Sequence, residues 1–442
     1  MKTILLLFAI AVVSLPSHAD DWPHWGGPGH DGVWRETGII RTFPTDGPKV
    51  LWRVPIQRGY AGPSVADGRV FVFDRKTPEG AAMPKSAFER GQIPGDERLV
   101  CLEAGSGKIL WKKSEPVDNT VSYASGPRTT PTVDGDRVYT LGAEGHLLCR
   151  SVADGTPLWS KDFKTLPGAR TPIWGFSASP LIDGGLLICL AAGDGSVAIA
   201  FDKITGEEKW RALSAKEPGY CPPKLIEHGG KRLLIVWHPE SVNALDPATG
   251  KSLWSVPWAL KAGLSVPSPQ LSGDHLLLTS FYNGSMLLKL DAANPPTIVW
   301  RTKEQSEKRT EHLNSIINSP VIAEGHFYGA CSYGEFRCLE LLSGKRLWES
   351  LEPVGLEQPS RWGTVFVTPH EDRFFLFSET GELAIANLTP SGYQETSRAK
   401  VIEPNGIDMR QRPIVWSHPA YAMKSCFVRN DTELIRLDLS AE

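Results

Sequence analysis

The sequence predicts an all-β protein: an eight-bladed β-propeller of four-stranded antiparallel blades, its ring closed by pairing the N-terminal and C-terminal strands. Three observations predict it. A motif made of an apolar run, an Asp, a Gly-containing turn and a closing Trp recurs along the 442 residues. Its Trp residues are Trp52, Trp111, Trp159, Trp210, Trp254, Trp300 and Trp348, with gaps of 59, 48, 51, 44, 46 and 48, the period of a four-stranded propeller blade. Finally, KVLW at 49–52 is a second half-motif with no first half, while LIRLDLSAE at 434–442 is a first half with no second.

The elements follow in chain order. Residues 1–19 begin MKTILLLFAIAVVSLP, a Lys followed by an apolar stretch, with Ser17 and Ala19 as small residues before a cleavage point. This reads as a secretory signal, too short to span a bilayer. The mature chain is then expected to start at Asp20 in a periplasmic or extracellular space, and no Cys near the cleavage point offers a lipid anchor. Residues 20–48 open with DDWPHWGGPGHDGVW and are expected to cover one face of the ring. Residues 49–442 form a single propeller domain, because a repeat of this period builds one continuous architecture whatever the chain length.

Each motif is preceded by a stretch such as GPSVADGRVFVF at 62–73, TPTVDGDRVYTL at 130–141 or SPVIAEGHFYGA at 319–330. These read as two strands joined by a tight turn. The motif then adds a second hairpin, as in VNALDPATGKSLW at 242–254 or LEAGSGKILW at 102–111. Asp at the turn can accept from backbone amides and Gly supplies positive φ. The seven Trp residues are read as structural wedges between blades, because their period is that of the fold. The copy at 290–300, LDAANPPTIVW, has lost its Gly, and the one at 385–392, IANLTPSG, has no Trp after it. Residues 75–98, RKTPEGAAMPKSAFERGQIPGDER, interrupt the first unit, either as a binding loop over one face or as a tolerated surface insertion.

Function is sought where the repeats differ. Aligned on the Pro that opens seven of the inner strands, and on Val365 in the seventh unit, the preceding residue is Gly62, Thr130, Ser179, Pro222, Ser268, Ser319, Thr364 and His418. Three before the aligned position stand Tyr60, Arg128, Ser177, Tyr220, Val266, Ile317, Trp362 and Trp416. Residues two apart on a strand share a face, so compact residues near the axis and a wider aromatic and Arg collar would form a funnel. Tyr60, Arg128, Trp174, Phe176, Tyr220, Arg361, Trp362, Trp416 and His418 are its candidate ligand-binding residues; the alternative is an aromatic plug. Were the protein an enzyme, Arg128 would meet an anionic oxygen, Trp174, Trp362 and Trp416 would stack, and His418 would move a proton.

The formal charge of −3 lacks the basic excess of a nucleic-acid binder. No His spacing suits zinc, and no nucleophile elbow, phosphate loop or calcium loop is present. Seven cysteines in an oxidising compartment leave one unpaired at least. Cys331 and Cys338 flank CSYGEFRC, where a two-residue turn at Gly334 and Glu335 would set them opposite for a disulfide. The favoured reading makes Cys101, Cys149 and Cys338 small hydrophobes at one repeat position.

The opening DWPHWGGPGHDGVW, the segments GPRTTPTVDGDRVYTLGAEGHLLC at 126–149 and WGFSASPLIDG at 174–184, and the D-x-x-T-G-K-x-x-W repeat resemble the secreted PQQ-like β-propeller family. The resemblance covers essentially the whole mature chain. It implies one of two uses. Quinoprotein dehydrogenases of this family hold pyrroloquinoline quinone and calcium over the channel to oxidise alcohols or sugars; propellers similar to the assembly factor BamB bind partners without chemistry. Alcohol dehydrogenases of the first kind have two adjacent cysteines beside the quinone, and no two of the seven here are adjacent; neither calcium ligands nor a catalytic Asp can be placed by motif. The expectation is therefore an exported, monomeric binding scaffold with no assigned cofactor or metal, whose partner is a periplasmic protein or a small molecule.

Overall fold

The computed structural model describes residues 21–441 except 82, 83, 85, 167 and 192; the signal read at 1–19 lies outside the described residues. Eight four-stranded antiparallel sheets form the blades. Blades 1 to 7 occupy 64–116, 132–162, 181–212, 224–257, 270–301, 321–350 and 365–400. Blade 8 takes its three inner strands from 420–438 and its outer strand from Val50–Pro55. Helix is confined, among the described residues, to three short 3-10 turns, and no helix is long and apolar enough to cross a membrane.

The two half-motifs of the chain ends meet as expected. Val50–Pro55 pairs antiparallel with Glu433–Asp438, Trp52 opposite Arg436 and Val54 opposite Leu434, and the Asp438 amide donates to the Lys49 carbonyl at 2.8 Å. The innermost strands of blades 8 and 1 lie side by side. Closure satisfies a strand edge that would otherwise be open to intermolecular pairing.

Six of the seven blade Trp residues are tied to the next blade by a hydrogen bond. The indole N–H of Trp52 donates to Ala104 O, Trp111 to Val152 O, Trp159 to Lys203 O, Trp210 to Pro247 O, Trp300 to Leu341 O and Trp348 to Thr389 O. In blades 1 to 4 the motif glycine lies against the ring of the Trp before it, Gly107 on Trp52, Gly155 on Trp111, Gly206 on Trp159 and Gly250 on Trp210. A Cβ on Gly107 would come within 2.8 Å of Trp52, on Gly155 within 2.7 Å of Trp111 and on Gly206 within 2.8 Å of Trp159. These glycines also hold φ of +74, +73 and +71, so turn geometry and the approach of the indole both demand glycine. The copy that lost its Gly, 290–300, follows Trp254. The Asp of the motif caps its turn as predicted: Asp202 Oδ1 accepts from the Ile204 and Thr205 amides, and Asp246 Oδ1 from those of Ala248 and Thr249.

The favoured reading of the cysteines as buried hydrophobes holds, while the turn beside Cys331 and the bounds of the insertion need correction. All seven cysteines are free and buried. The hairpin after Ala330 pairs Ala330 with Phe336 and Tyr328 with Cys338, and the Cys331 amide donates to Glu335 O. Cys331 therefore faces Glu335, because the turn is centred on 332–334 and not on Gly334 and Glu335. Cys101, Cys149 and Cys338 do share one environment, between an aromatic strand partner (Phe71, Tyr139, Tyr328) and the blade Trp (Trp111, Trp159, Trp348). The second correction concerns the insertion. Asp74, Arg75 and Lys76 pair with Arg98, Glu97 and Asp96, so the ladder runs into the segment read as insertion and the loop proper is 77–95. Asp74, fully buried, fixes that extension through a two-pronged pair with Arg98.

The stretch 21–48 covers one end of the ring. Trp22 pairs with Val65 in blade 1, the Val133 amide of blade 2 donates to Pro23 O, Trp34 N to Pro369 O in blade 7, and Ile40 N to Leu439 O. Trp34 is 1% exposed, packed on Phe375, Tyr421 and His370, and its indole donates to Glu36.

Candidate functional site

A cavity of about 540 Å³ runs along the ring axis. The N-terminal stretch lines one end, with Trp22, Trp25, His30 and Asp31. The other end opens within an aromatic collar. Two sets of connections build that collar: those entering the innermost strands, which carry Tyr60, Trp362 and Trp416, and those between second and third strands, which carry Phe281 and Tyr282. The loop 77–95 is a connection of the second kind, and its Phe88 reaches over the mouth to Tyr123 (5.5 Å between ring centres) and Trp362 (6.5 Å). Its backbone is strapped to 119–123: Ile93 and Asn119 exchange hydrogen bonds and Tyr123 N donates to Ala87 O.

At the waist the compact residues bond from blade to blade. The Thr130 amide donates to Ser179 Oγ at 3.1 Å, and the Ser268 amide to Ser319 Oγ at 2.9 Å. Thr130 Oγ1 lies 2.8 Å from His418 Nε2, and His418 Nδ1 lies 3.3 Å from Pro419 O. A neutral imidazole protonated on Nδ1 satisfies both contacts, and burial holds His418 down at about 4. Below it, Trp25 meets His418 edge-on at 6.5 Å. His24 and His30 stack at 3.7 Å between ring centres, kept neutral by burial at about 4 and about 3.

The collar is held from behind. Arg128 packs over the Tyr60 ring, and its guanidinium donates to the Gly126, Ser122 and Tyr123 carbonyls, so it pins the loop 122–126. Trp416 donates to Glu379 Oε2 at 2.9 Å; Glu379, raised by burial, is opposed by Arg412, which also pairs with Asp408. Arg361 lies over the Trp362 and Phe281 rings at 4.7 and 5.4 Å, and donates to Tyr282 Oη. Trp174 packs edge-on against Tyr220 at 5.5 Å.

Of the sequence candidates, Tyr60, Arg128, Trp174, Tyr220, Arg361, Trp362, Trp416 and His418 line this cavity. Phe176 does not: it is 3% exposed, packed against Phe163 at 5.6 Å with Gly145 closing over it. Gly175, at φ +70 between Trp174 and Phe176, turns the loop so that Phe176 enters the core between blades 2 and 3 while Trp174 stays on the cavity. Sequence reasoning missed Phe88, Tyr123, Phe281, Tyr282 and Trp25. The alignment followed only the connection before each inner strand, whereas Phe281 and Tyr282 sit in the other set of loops on the same face. For Trp25 the signal was the Trp and Gly richness of 20–34.

The fit to a quinone cofactor is poor where it can be tested. Among the described residues, no group of three or more His, Cys, Asp or Glu is arranged to hold a metal ion, and the cysteines are buried singly.

Fold and site define a class: an eight-bladed propeller closed head to tail, with an axial cavity capped by the N-terminal stretch at one end and collared by aromatics at the other. A sequence profile described as outer membrane protein assembly factor BamB matches residues 36–171, 95–350 and 238–438 in overlapping copies. The chain belongs to this BamB-like family of PQQ-repeat propellers. It is 26% identical over 243 residues to the outer membrane protein assembly factor BamB of Burkholderia pseudomallei (strain K96243), covering 52% of this chain and 58% of that protein. It is 24% identical over 231 residues to that of Moranella endobia (strain PCIT), covering 49% and 56%. The match thus spans little more than half the length of these relatives. Among solved structures, the chain resembles BamB from Moraxella catarrhalis (TM-score 0.58, 13% identity, 89% of this chain and 98% of that one). It also resembles the quinohemoprotein alcohol dehydrogenase of Comamonas testosteroni (TM-score 0.61, 14% identity, 96% and 81%). At these identities the structural likeness speaks for the fold alone.

Proposed function

We propose that this chain is an exported, non-catalytic scaffold of the cell envelope that binds a partner protein or a ligand at its aromatic collar. One observation carries the reading: the polar side chains best placed for chemistry in the cavity are already committed to the protein. Arg128 is engaged by three carbonyls, His418 by Thr130, Asp31 by Arg35 and Trp416 by Glu379. What is left facing outward is apolar and aromatic area beside a few fixed polar groups, the composition of a binding site. The relatives' description as outer membrane assembly factors supports a protein partner in the envelope, and the signal read at 1–19 supports export.

Two measurements test it. Purified protein is mixed with pyrroloquinoline quinone and calcium, and a bound-quinone spectrum and alcohol-dependent dye reduction are sought; turnover would replace the scaffold by a quinone-dependent dehydrogenase. Co-purification from the native envelope should then yield a partner that Arg128→Ala or Trp416→Ala weakens.

A further inference from the structure

From the shape and polarity of the axial cavity, we propose that the collar admits a linear alkyl carboxylate, a medium-chain fatty acid, whose tail runs down the axis and whose carboxylate rests on Arg361. This rests on the reading that the collar is the binding site of the protein, and it names the ligand class.

The geometry points to an elongated ligand. The cavity extends from Arg361 and Trp362 at the mouth to Trp22 and Trp25 at the capped end. Between them the wall is mainly aliphatic, proline and phenyl: Val266, Ile317, Pro320, Val321, Phe366 and Val367. Polar groups on that wall are few and mostly engaged. His418 is held by Thr130, Ser319 Oγ accepts from the Ser268 amide, and Asp31 at the capped end is paired with Arg35. A peptide backbone threaded here would leave its N–H and C=O groups without partners, at a cost of kilocalories each. An alkyl chain loses nothing by it.

The mouth points to an acid. Arg361 donates to Tyr282 Oη at 3.0 Å and meets Glu307 at 3.4 Å through Nη2, while its buried Nε has no acceptor. The Arg361 side chain is 21% exposed on the cavity, and a guanidinium fixed between the Trp362 and Phe281 rings is already oriented for a carboxylate.

The test is calorimetric titration of the full mature chain with hexanoate, octanoate and decanoate, and with 1-octanol as the headgroup control. Each added methylene should tighten binding about fourfold, the equivalent of about 0.8 kcal/mol, and octanoate should bind at least tenfold tighter than 1-octanol. Arg361→Gln should abolish the preference for acid over alcohol. Val266→Trp, which fills the tunnel wall, should flatten the chain-length dependence; thermal unfolding of both variants should stay close to that of the parent. Absence of saturable decanoate binding, affinity independent of chain length, or parental behaviour of both variants would each overturn the proposal. If decanoate fails while an envelope partner is still lost on Trp416→Ala, the ligand assignment falls and the scaffold reading stands.

Discussion

The imidazole of His418 fills the space that a side chain at Gly62 would need. A Cβ on Gly62 would lie 2.4 Å from His418 Cε1 and 2.5 Å from its carbonyl oxygen. The two positions are equivalent in the repeat, one residue before the Pro of blades 1 and 8. The largest residue of that row therefore depends on the smallest, and His418 reaches past Gly62 to bond Thr130 of blade 2. Gly62→Ala should destabilise the fold by about 1–3 kcal/mol through overpacking. Since one clash is with backbone, His418→Ala should restore only part of the loss, a non-additivity that denaturant unfolding of the double-mutant cycle would read. Full rescue would mean that only the ring is in the way.

Stability should depend on pH through the buried imidazoles. His418 is lowered from 6.5 to about 4 when folded, so its contribution is intact above 6.5 and is lost as pH falls toward 4; His24 and His30 act in the same direction. Glu97, raised by burial from 4.5 to about 7, acts oppositely: its contribution is present below 4.5 and lost as pH rises through 7. In His418→Gln the fall in unfolding free energy between pH 7 and pH 5 should shrink by about 2 kcal/mol. An unchanged slope would place the His418 proton elsewhere.

How much of this could be read from the chain is decided by what repeats. Trp52, Trp111 and their equivalents announced blade number and ring closure, since each copy must meet the same neighbouring surface. The inner-strand Pro likewise located Tyr60 and Trp416 at one mouth, and the equivalent Val365 located Trp362. Phe88, Phe281 and Tyr282 were hidden because they lie in loops of unequal length, where no copy fixes the register. Phe176 was misplaced for a related reason: its neighbour Trp174 is on the cavity, but a flank of the aligned position carries no information about which way the loop turns. The turn at 332–334 shows the same limit, because CSYGEFRC admits more than one register and tertiary packing selects one.

The Trp and Gly of adjacent motifs should behave as a coupled pair. Trp159 donates to Lys203 O and supports Gly206, whose φ is +71. Gly206→Ala combines positive-φ strain with a contact 2.8 Å from the indole and should cost about 1–3 kcal/mol. Trp159→Ala should itself cost about 3 kcal/mol, and in that background the additional penalty of Gly206→Ala should drop to the backbone share. Trp254, which faces the one motif without a Gly, supplies the control: replacing it should cost less than replacing Trp159. Equal losses, measured by chemical unfolding, would reduce the indoles to bulk apolar filler.

Arg128 offers the sharpest division between binding and architecture. Its guanidinium spans the carbonyls of Ser122, Tyr123 and Gly126, and that loop holds Tyr123 at φ +56, against Phe88 and Trp416. A lysine has one nitrogen and cannot reproduce a planar fork. Arg128→Lys should therefore loosen 122–126 and the strapped part of 77–95, seen as faster backbone amide exchange at Tyr123 and faster proteolysis nearby, while the ring away from the mouth keeps its protection. The collar would lose Phe88 and Tyr123 together, so partner binding should weaken even though Arg128 is saturated by its own backbone. If Arg128→Lys weakened binding with exchange at Tyr123 unchanged, Arg128 would be touching the partner directly, and the three carbonyls would not be its principal task.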